Sequence, residues 1–315
     1  MAPLLAVDNL VKKYGDLTAV DLLSFDVEPG EAFGLLGPNG AGKSTTMMMI
    51  CGLLAADYGE VRLEGRRLDR TRPESRQQMG VVPQDLAIYP DLTARENLMF
   101  FGSLYHLSGS KLRRKVDDVL EQVGLTARAD DLTETFSGGM KRRLNFAAAV
   151  MHDPVLLILD EPTVGVDPQS RAHLIECIRS LQQSGTAIIY ASHYMEEVQV
   201  VCTRAAIIDH GKLLACDTIS QLLKQIPFEV ELRLGQSRVP EGMSLGTSAR
   251  IELDGDEAVV RFSTRDQSCE LALNRDVTNI LTTLEQHSIS VRSIRTNEPN
   301  LERLFLKLTG HRLRD

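Results

Sequence analysis

The residues Gly37, Pro38, Asn39, Gly40, Ala41, Gly42, Lys43 and Ser44 have the spacing G-x-x-x-x-G-K-S, continued by Thr45 and Thr46. This is the pattern of a phosphate-binding loop. Glycines let the backbone curl until several N–H groups point at one anion. A helix that starts in or just after the loop adds its positive end. Lys43 is then expected to reach the β- and γ-phosphates of a nucleotide, and Ser44 to ligate Mg²⁺. A second constellation is the apolar run Val155–Leu159 ending in Asp160-Glu161. A buried parallel strand that ends this way delivers two carboxylates to the ligand edge of a sheet. Asp160 suits contact with Mg²⁺, and Glu161 suits polarising an attacking water. Two more strand-like runs end in Gln84 and in His193. The Gln84 amide suits a Mg²⁺ or water contact, and the His193 ring can bridge phosphate, water and Glu161. Lys43 and Mg²⁺ neutralising a transferring phosphoryl group, with Glu161 placing water in line, is the chemistry of ATP hydrolysis.

These residues need a parallel sheet to converge. Ala32–Leu36 before the loop, Met79–Gln84, Val155–Glu161, Thr186–Ala191 and Arg204–Asp209 read as its strands. Leu4–Val11 and Leu17–Val27 read as strands joined by the polar loop Lys12–Asp16. Tyr14 in that loop can stack on a base or simply pack at an edge. Thr93 and Glu96 form a capping box, followed by the aromatic-rich stretch Met99–Tyr105, which suits either core or a docking face. Lys111–Val123 reads as an amphipathic helix stopped by Gly124. Ser137-Gly138-Gly139 precedes a helix over Lys141–Met151 and makes a second anion-ready helix start. One γ-phosphate held from two sides requires two subunits if the two loops lie apart in a single chain. Pro162–Pro168, which includes Asp167, reads as a structured turn. Composition shifts near Gln225-Ile226-Pro227. Beyond it, alternating strands and two helices predict a small α+β domain, so the boundaries are 4–224 for the nucleotide-binding domain and 225–315 for an accessory domain.

A net charge of -8 argues against a dedicated nucleic-acid partner. Five scattered cysteines give neither a disulfide scaffold nor metal-ligand spacing. No apolar run approaches the roughly 20 residues that a membrane-crossing helix needs, and no signal peptide opens the sequence. The chain is expected to be soluble by itself, with any membrane role supplied by a partner.

Taken in order, these motifs resemble the nucleotide-binding subunit of ATP-binding cassette transporters, over about residues 4–224. Tyr14 falls at the adenine-stacking loop, Gly37–Thr45 at Walker A, Gln84 at the Q-loop and Ser137-Gly138-Gly139-Met140 at the signature. Leu156–Glu161 falls at Walker B, Val164–Asp167 at the D-loop and His193 at the switch. The resemblance implies an α/β phosphate-loop core with an antiparallel β subdomain and a helical subdomain. It also implies MgATP bound between two head-to-tail subunits, as a homodimer or a heterodimer with a similar ATPase, and transport through a separate multi-span permease. The location implied is peripheral, on the cytoplasmic face of the membrane. Phe136 and Met140 depart from the common Leu-Ser-Gly-Gly-Gln signature, and Val164 and Val166 depart from the common D-loop. These departures and the tail Asn300–Gly310 resemble drug, polysaccharide and nodulation-signal exporter ATPases. Glu96–Tyr105 lies where such relatives receive the permease. An importer ATPase and a soluble cassette ATPase acting on ribosomes or nucleic acid are the alternatives.

Overall fold

The computed structural model describes residues 2–68, 73–235, 245, 249–254, 257–264 and 270–310. Residues up to Ile219 form one compact unit and Ser220–Leu308 a second. The first unit runs β1 (Leu5–Tyr14), β2 (Leu17–Val27), β3 (Ala32–Leu36), α1 (Lys43–Ile50), β4 (Tyr58–Leu63), β5 (Arg66–Arg67), β6 (Met79–Val82) and α2 (Ala94–Leu104). It continues through α3 (Gly109–Gln122), α4 (Gly138–Ala149), β7 (Leu156–Asp160), α5 (Pro168–Gln183), β8 (Ala187–Ser192), α6 (Met195–Val201), β9 (Arg204–Asp209) and β10 (Lys212–Thr218). The short helix α7 (Ile219–Leu223) leads into the second unit.

Two sheets build the first unit. The larger has the order β10-β9-β3-β8-β7-β6 and is parallel except for the edge strand β10. Its central strand β3 is buried along its whole length, as expected of a strand covered on both faces. Gly34 in that strand is required by close packing, because a Cβ there would meet Val198 Cγ1 of α6 at 2.4 Å. The smaller, antiparallel sheet has the order β2-β1-β4-β5. Leu10, Leu23 and Phe25 from it join Phe33, Ile158 and Ile189 from the parallel sheet, with Met47 and Ile50 of α1, in one apolar core. The Phe25 and Phe33 rings stack across that core with centroids 5.0 Å apart.

The β1–β2 connection is tighter than the sequence suggests. Tyr14 pairs with Leu17, so only Gly15 and Asp16 form the turn, and Gly15 takes φ +57°. Tyr14 therefore stands at a strand end, half exposed, with Lys12 Nζ 5.7 Å from its ring centroid.

The helices α2, α3 and α4 form the third part of the unit. The Thr93–Glu96 capping box is present, as its spacing predicts. Leu112, Val116, Val119 and Leu120 are the buried stripe of α3, and Gly124 ends that helix at φ +63°. Asn97 of α2 is completely buried. Its carbonyl accepts from Tyr89 N–H at 2.8 Å, and its amide donates to Tyr89 O, Thr93 O and Thr133 Oγ1 at 2.9, 3.0 and 3.1 Å. One side chain thus fixes the segment that leads from the parallel sheet into the helices.

The second unit is a four-stranded antiparallel sheet, order β12-β13-β11-β14, formed by β11 (Phe228–Leu234), β12 (Ala249–Asp254), β13 (Glu257–Thr264) and β14 (Val291–Asn297). The helix α8 (Glu270–Gln286) supplies Ile280 and Leu284 to a core shared with Val230, Leu232, Val260 and Phe262. A last helix, α9 (Leu301–Thr309), is tied back by Arg303, which donates to Asn297 O at 2.7 Å and Pro227 O at 3.1 Å.

Replacing Asn97 by Leu should keep the volume and strand several buried polar groups at once. We expect a loss of about 3 kcal/mol in urea unfolding. A loss under about 1 kcal/mol would mean that water takes over the amide's partners.

Candidate active site

Three strands of the parallel sheet end at the same edge. Leu36 pairs with Ser192, and Asp160 pairs with Ala191, so the loop after β3, the carboxylates after β7 and the histidine after β8 are neighbours. The loop Gly37–Gly42 lies against the chain behind it. A Cβ on Gly37 would meet Ile208 O at 2.3 Å, and one on Gly42, at φ +103°, would meet Ala19 O at 2.4 Å. Gly40 also has positive φ, so the turn that Gly37–Gly42 makes is one that only glycine fits at these points. The open N-terminal end of α1 then begins at Lys43.

Lys43 is buried at 5% exposure. Its ammonium donates to Gly37 O at 2.8 Å and Pro38 O at 3.1 Å, and stands 3.9 Å from Glu161 Oε1. Burial pulls its pKa below the ordinary value, against the opposing pull of Glu161 and Asp160. Thr46 is fully buried, and its hydroxyl donates to Gly42 O at 2.8 Å, which secures the first turn of α1. Ser44 is exposed, and Thr45 is half-buried.

The strand β7 stops at Asp160, one residue short of the strand Val155–Glu161 expected from the sequence. Glu161 has left-handed backbone, φ +49°, and its N–H donates to Ala191 O at 2.9 Å. This turn carries its carboxylate to His193, with Nδ1 and Oε1 2.8 Å apart. Such a conformation in a non-glycine residue costs on the order of 1 kcal/mol and is found at functional sites. Asp160 Oδ1 is buried and finds no hydrogen-bond partner among the described residues. Burial pushes this carboxyl above the usual range; the Ser44 hydroxyl draws it back, Glu161 adds to the rise, and Lys43 opposes it. An orphaned carboxylate oxygen beside a hydroxyl is a pair of hard oxygen donors that fits Mg²⁺. The glycine-lined loop with Lys43 fits the phosphates.

Gln84 follows β6, whose Val82 pairs with Leu159 of β7, so it comes to the same sheet edge, whereas Ser137, Gly138, Gly139 and Asp167 lie at helix starts. Gln84 lies two residues beyond the end of β6 with its side chain exposed. Its backbone is held firmly, because Arg142 Nη1 donates to Gln84 O at 2.8 Å and Pro83 O at 3.2 Å. Ser137 caps α4, its hydroxyl accepting from Met140 N–H at 3.2 Å. Gly138 is open, and Gly139 is pressed on α5, where a Cβ would meet Ser170 Oγ at 2.3 Å and Asp167 Oδ2 at 2.7 Å. Asp167 caps α5 by accepting from Ser170 N–H at 2.9 Å, and these contacts hold its carboxyl below the usual range. Sequence reasoning missed Arg142, Ser170 and a buried carboxylate, Glu197. Each shows in the sequence only as part of an ordinary polar helix.

Because the folded-state pKa of Asp160 lies above its unfolded value, ionising it costs nucleotide-free stability as pH rises through that range. Asp160→Asn should therefore raise the melting temperature of the nucleotide-free protein near pH 7.5 by roughly 2–4 °C. It should also lose most of the further rise that ATP with Mg²⁺ gives the parent protein. An unchanged or lower melting temperature would show that the carboxylate is already satisfied.

The profile of the family described as ABC transporter matches residues 20–164. The chain is similar to the linearmycin resistance ATP-binding protein LnrL of Bacillus subtilis (strain 168), at 45% identity over 99% of this chain and 100% of the relative. It is also similar to the Nod factor export ATP-binding protein I of Paraburkholderia xenovorans (strain LB400), at 39% identity over 98% of this chain and 97% of the relative. Among solved structures, cbiO1 from Clostridium perfringens, part of the ABC transporter complex cbiONQ, matches with TM-score 0.65 and 27% identity, covering 69% of this chain and 89% of that one. On this likeness over nearly its whole length, the chain belongs to the ABC transporter family as an ATP-binding, ATP-hydrolysing protein.

Proposed function

We propose that this chain is the ATPase subunit of an exporter, with MgATP bound between two copies and hydrolysis coupled to a separate membrane permease. The observation that carries the reading is the Glu161–His193 contact at 2.8 Å, beside a buried Lys43. In this reading Lys43 and the loop N–H groups bind the β- and γ-phosphates. Ser44 and Asp160 hold Mg²⁺, which supplies charge neutralisation at the transferring group. Gln84 reaches the metal or the attacking water when nucleotide is present. Glu161 accepts a proton from that water, or orients it, while His193 keeps the carboxylate in place. Tyr14 is the base-stacking residue.

The dimer follows from chemistry that one chain leaves incomplete. Ser137, Gly138 and Gly139 make an open helix start whose own-chain neighbours are Asp167 and Ser170 of α5. Offered to the γ-phosphate of a second copy, they make ATP the adhesive between subunits. Export is favoured by the two relatives matched along nearly their whole length, a linearmycin resistance protein and a Nod factor export protein. Among the described residues no helix is long and apolar enough to cross a membrane, and in this reading the path for cargo belongs to another chain. The exposed edge of α2 suits that partner. Tyr89 and Phe100 pack edge to face at 5.0 Å and remain 47% and 39% exposed, with Leu86, Met99 and Leu104 also exposed. A peripheral place on the cytoplasmic face of the membrane follows from this arrangement.

Glu161→Gln should bind ATP normally and accumulate an ATP-dependent dimer, since the phosphate ligands remain and the water acceptor is lost. Size-exclusion chromatography with ATP and Mg²⁺ reads this directly, and a monomer at all concentrations would remove the two-subunit site. Lys43→Ala should weaken ATP binding by at least about tenfold in titration. Unchanged affinity would take the phosphate role from Lys43. Isolation of the chain from native membranes in mild detergent should recover a multi-span helical protein in equal amount. Recovery with ribosomes or DNA instead would keep the ATPase and overturn the transport reading.

A further inference from the structure

A carboxylate outside the phosphate site is buried between the two segments that bring Glu161 and His193 together. Glu197 of α6 is 7% exposed. Its Oε2 accepts from Thr163 Oγ1 at 2.5 Å and from Tyr190 Oη at 2.8 Å. Thr163, fully buried, lies two residues after Glu161. Tyr190, also fully buried, lies in β8 three residues before His193 and pairs with Leu159 of β7. A single oxygen therefore ties the turn that carries Glu161 to the strand that carries His193.

The other oxygen faces α5. Glu197 Oε1 is 3.3 Å from Arg171 Nε, yet neither atom completes a hydrogen bond. The pair is attracted but misaligned, so a small shift of either helix changes its strength considerably. Arg171 sits in the first turn of α5, its N–H on Asp167 O at 2.9 Å. The same guanidinium lies 5.9 Å from the Tyr194 ring, which in turn lies 4.1 Å from the His193 ring. That first turn of α5 is also the surface against which Gly139 is pressed.

We infer that Glu197 is a positioning residue for hydrolysis: it sets Glu161 and His193 relative to each other, and Arg171 makes the setting depend on where the first turn of α5 stands. The inference rests on the reading of Glu161 and His193 as the hydrolytic pair. Contact between Ser137–Gly139 and a ligand is then felt within the same chain at Glu161, through Asp167, Arg171 and Glu197. The coupling needs no groups beyond those in contact.

The test is steady-state ATPase kinetics on the full chain with Glu197→Gln, Arg171→Ala and the double variant, each checked for folding by thermal denaturation. Gln keeps an acceptor for Thr163 and Tyr190 and replaces the charged acceptor facing Arg171 by a neutral N–H donor. Each single variant should lower kcat by about tenfold while KM for ATP stays within about twofold, because a group misplaced by a fraction of an ångström loses rate rather than binding. The double variant should be no slower than either single one, as expected for residues acting as a unit. Thr163→Val should lower kcat in the same way, and Thr163→Ser should recover most of that loss. Turnover within twofold of the parent in folded Glu197→Gln and Arg171→Ala overturns the inference. So does a parallel loss of kcat, ATP affinity and melting temperature, which would mark a purely structural role. Should Glu197→Gln fail to fold, Arg171→Ala and the Thr163 pair decide the question alone. Full activity in Glu161→Gln would remove the hydrolytic pair itself, and with it this inference.

Discussion

A lysine ammonium buried at 5% exposure in the floor of a phosphate loop is the constraint from which the rest of the site follows. Burial alone disfavours its charged form. It is held in place by two carbonyls of its own loop, Gly37 O and Pro38 O, and by the carboxylates of Glu161 and Asp160 nearby. Those carboxylates can only be there because β7 ends beside β3's neighbour β8, which is a property of the strand order. Such charges, fixed in a dry environment, need little reorganisation when a polyphosphate arrives. The same arrangement leaves Asp160 with an unmet oxygen, a local cost in stability at the place where Mg²⁺ is proposed.

Glu161 and His193 show how the backbone does part of this work. An ordinary strand end would leave the Glu161 side chain on the other face of β7 from Asp160. The left-handed turn at φ +49° redirects it, and the N–H bond to Ala191 O keeps the turn from relaxing. The strain is small beside the stability of the parallel sheet beneath it, where β3, β7 and β8 are almost wholly buried.

Much of this was legible in residue types and spacing. The all-apolar runs that end in polar residues marked the parallel strands, since only a strand covered on both faces reads that way. Glycines with lysine and serine marked the loop, and Thr93 with Glu96 marked the start of α2. Other features were hidden for physical reasons. Tyr14 looked like loop because its neighbours are polar, but backbone pairing with Leu17 needs no apolar side chain. The strand β10 was concealed by Lys212, which is exposed on an edge strand and follows the left-handed pair His210-Gly211. The seven-residue helix α6 is too short for a periodic pattern to show. Arg142 and Glu197 are charged residues on helices, and nothing local says that such residues are buried. Their partners, Gln84 and Thr163, lie 58 and 34 residues away.

The bonds from Arg142 to the Pro83 and Gln84 carbonyls join α4 to the strand end at which Gln84 stands. Arg142 is 7% exposed, so its guanidinium cannot exchange these partners for water without an appreciable cost. The helices α2 and α4 pack on one another, and α2 carries the exposed aromatics. In the proposed arrangement, a partner on those aromatics and a nucleotide beside Gln84 would bear on two segments that are joined through α4. Thermodynamic linkage then makes the traffic symmetrical: whatever factor the nucleotide applies to the grip on the partner, the partner applies to the grip on the nucleotide. A subunit wired in this way would report the state of its partner to its own active site as faithfully as it would drive that partner.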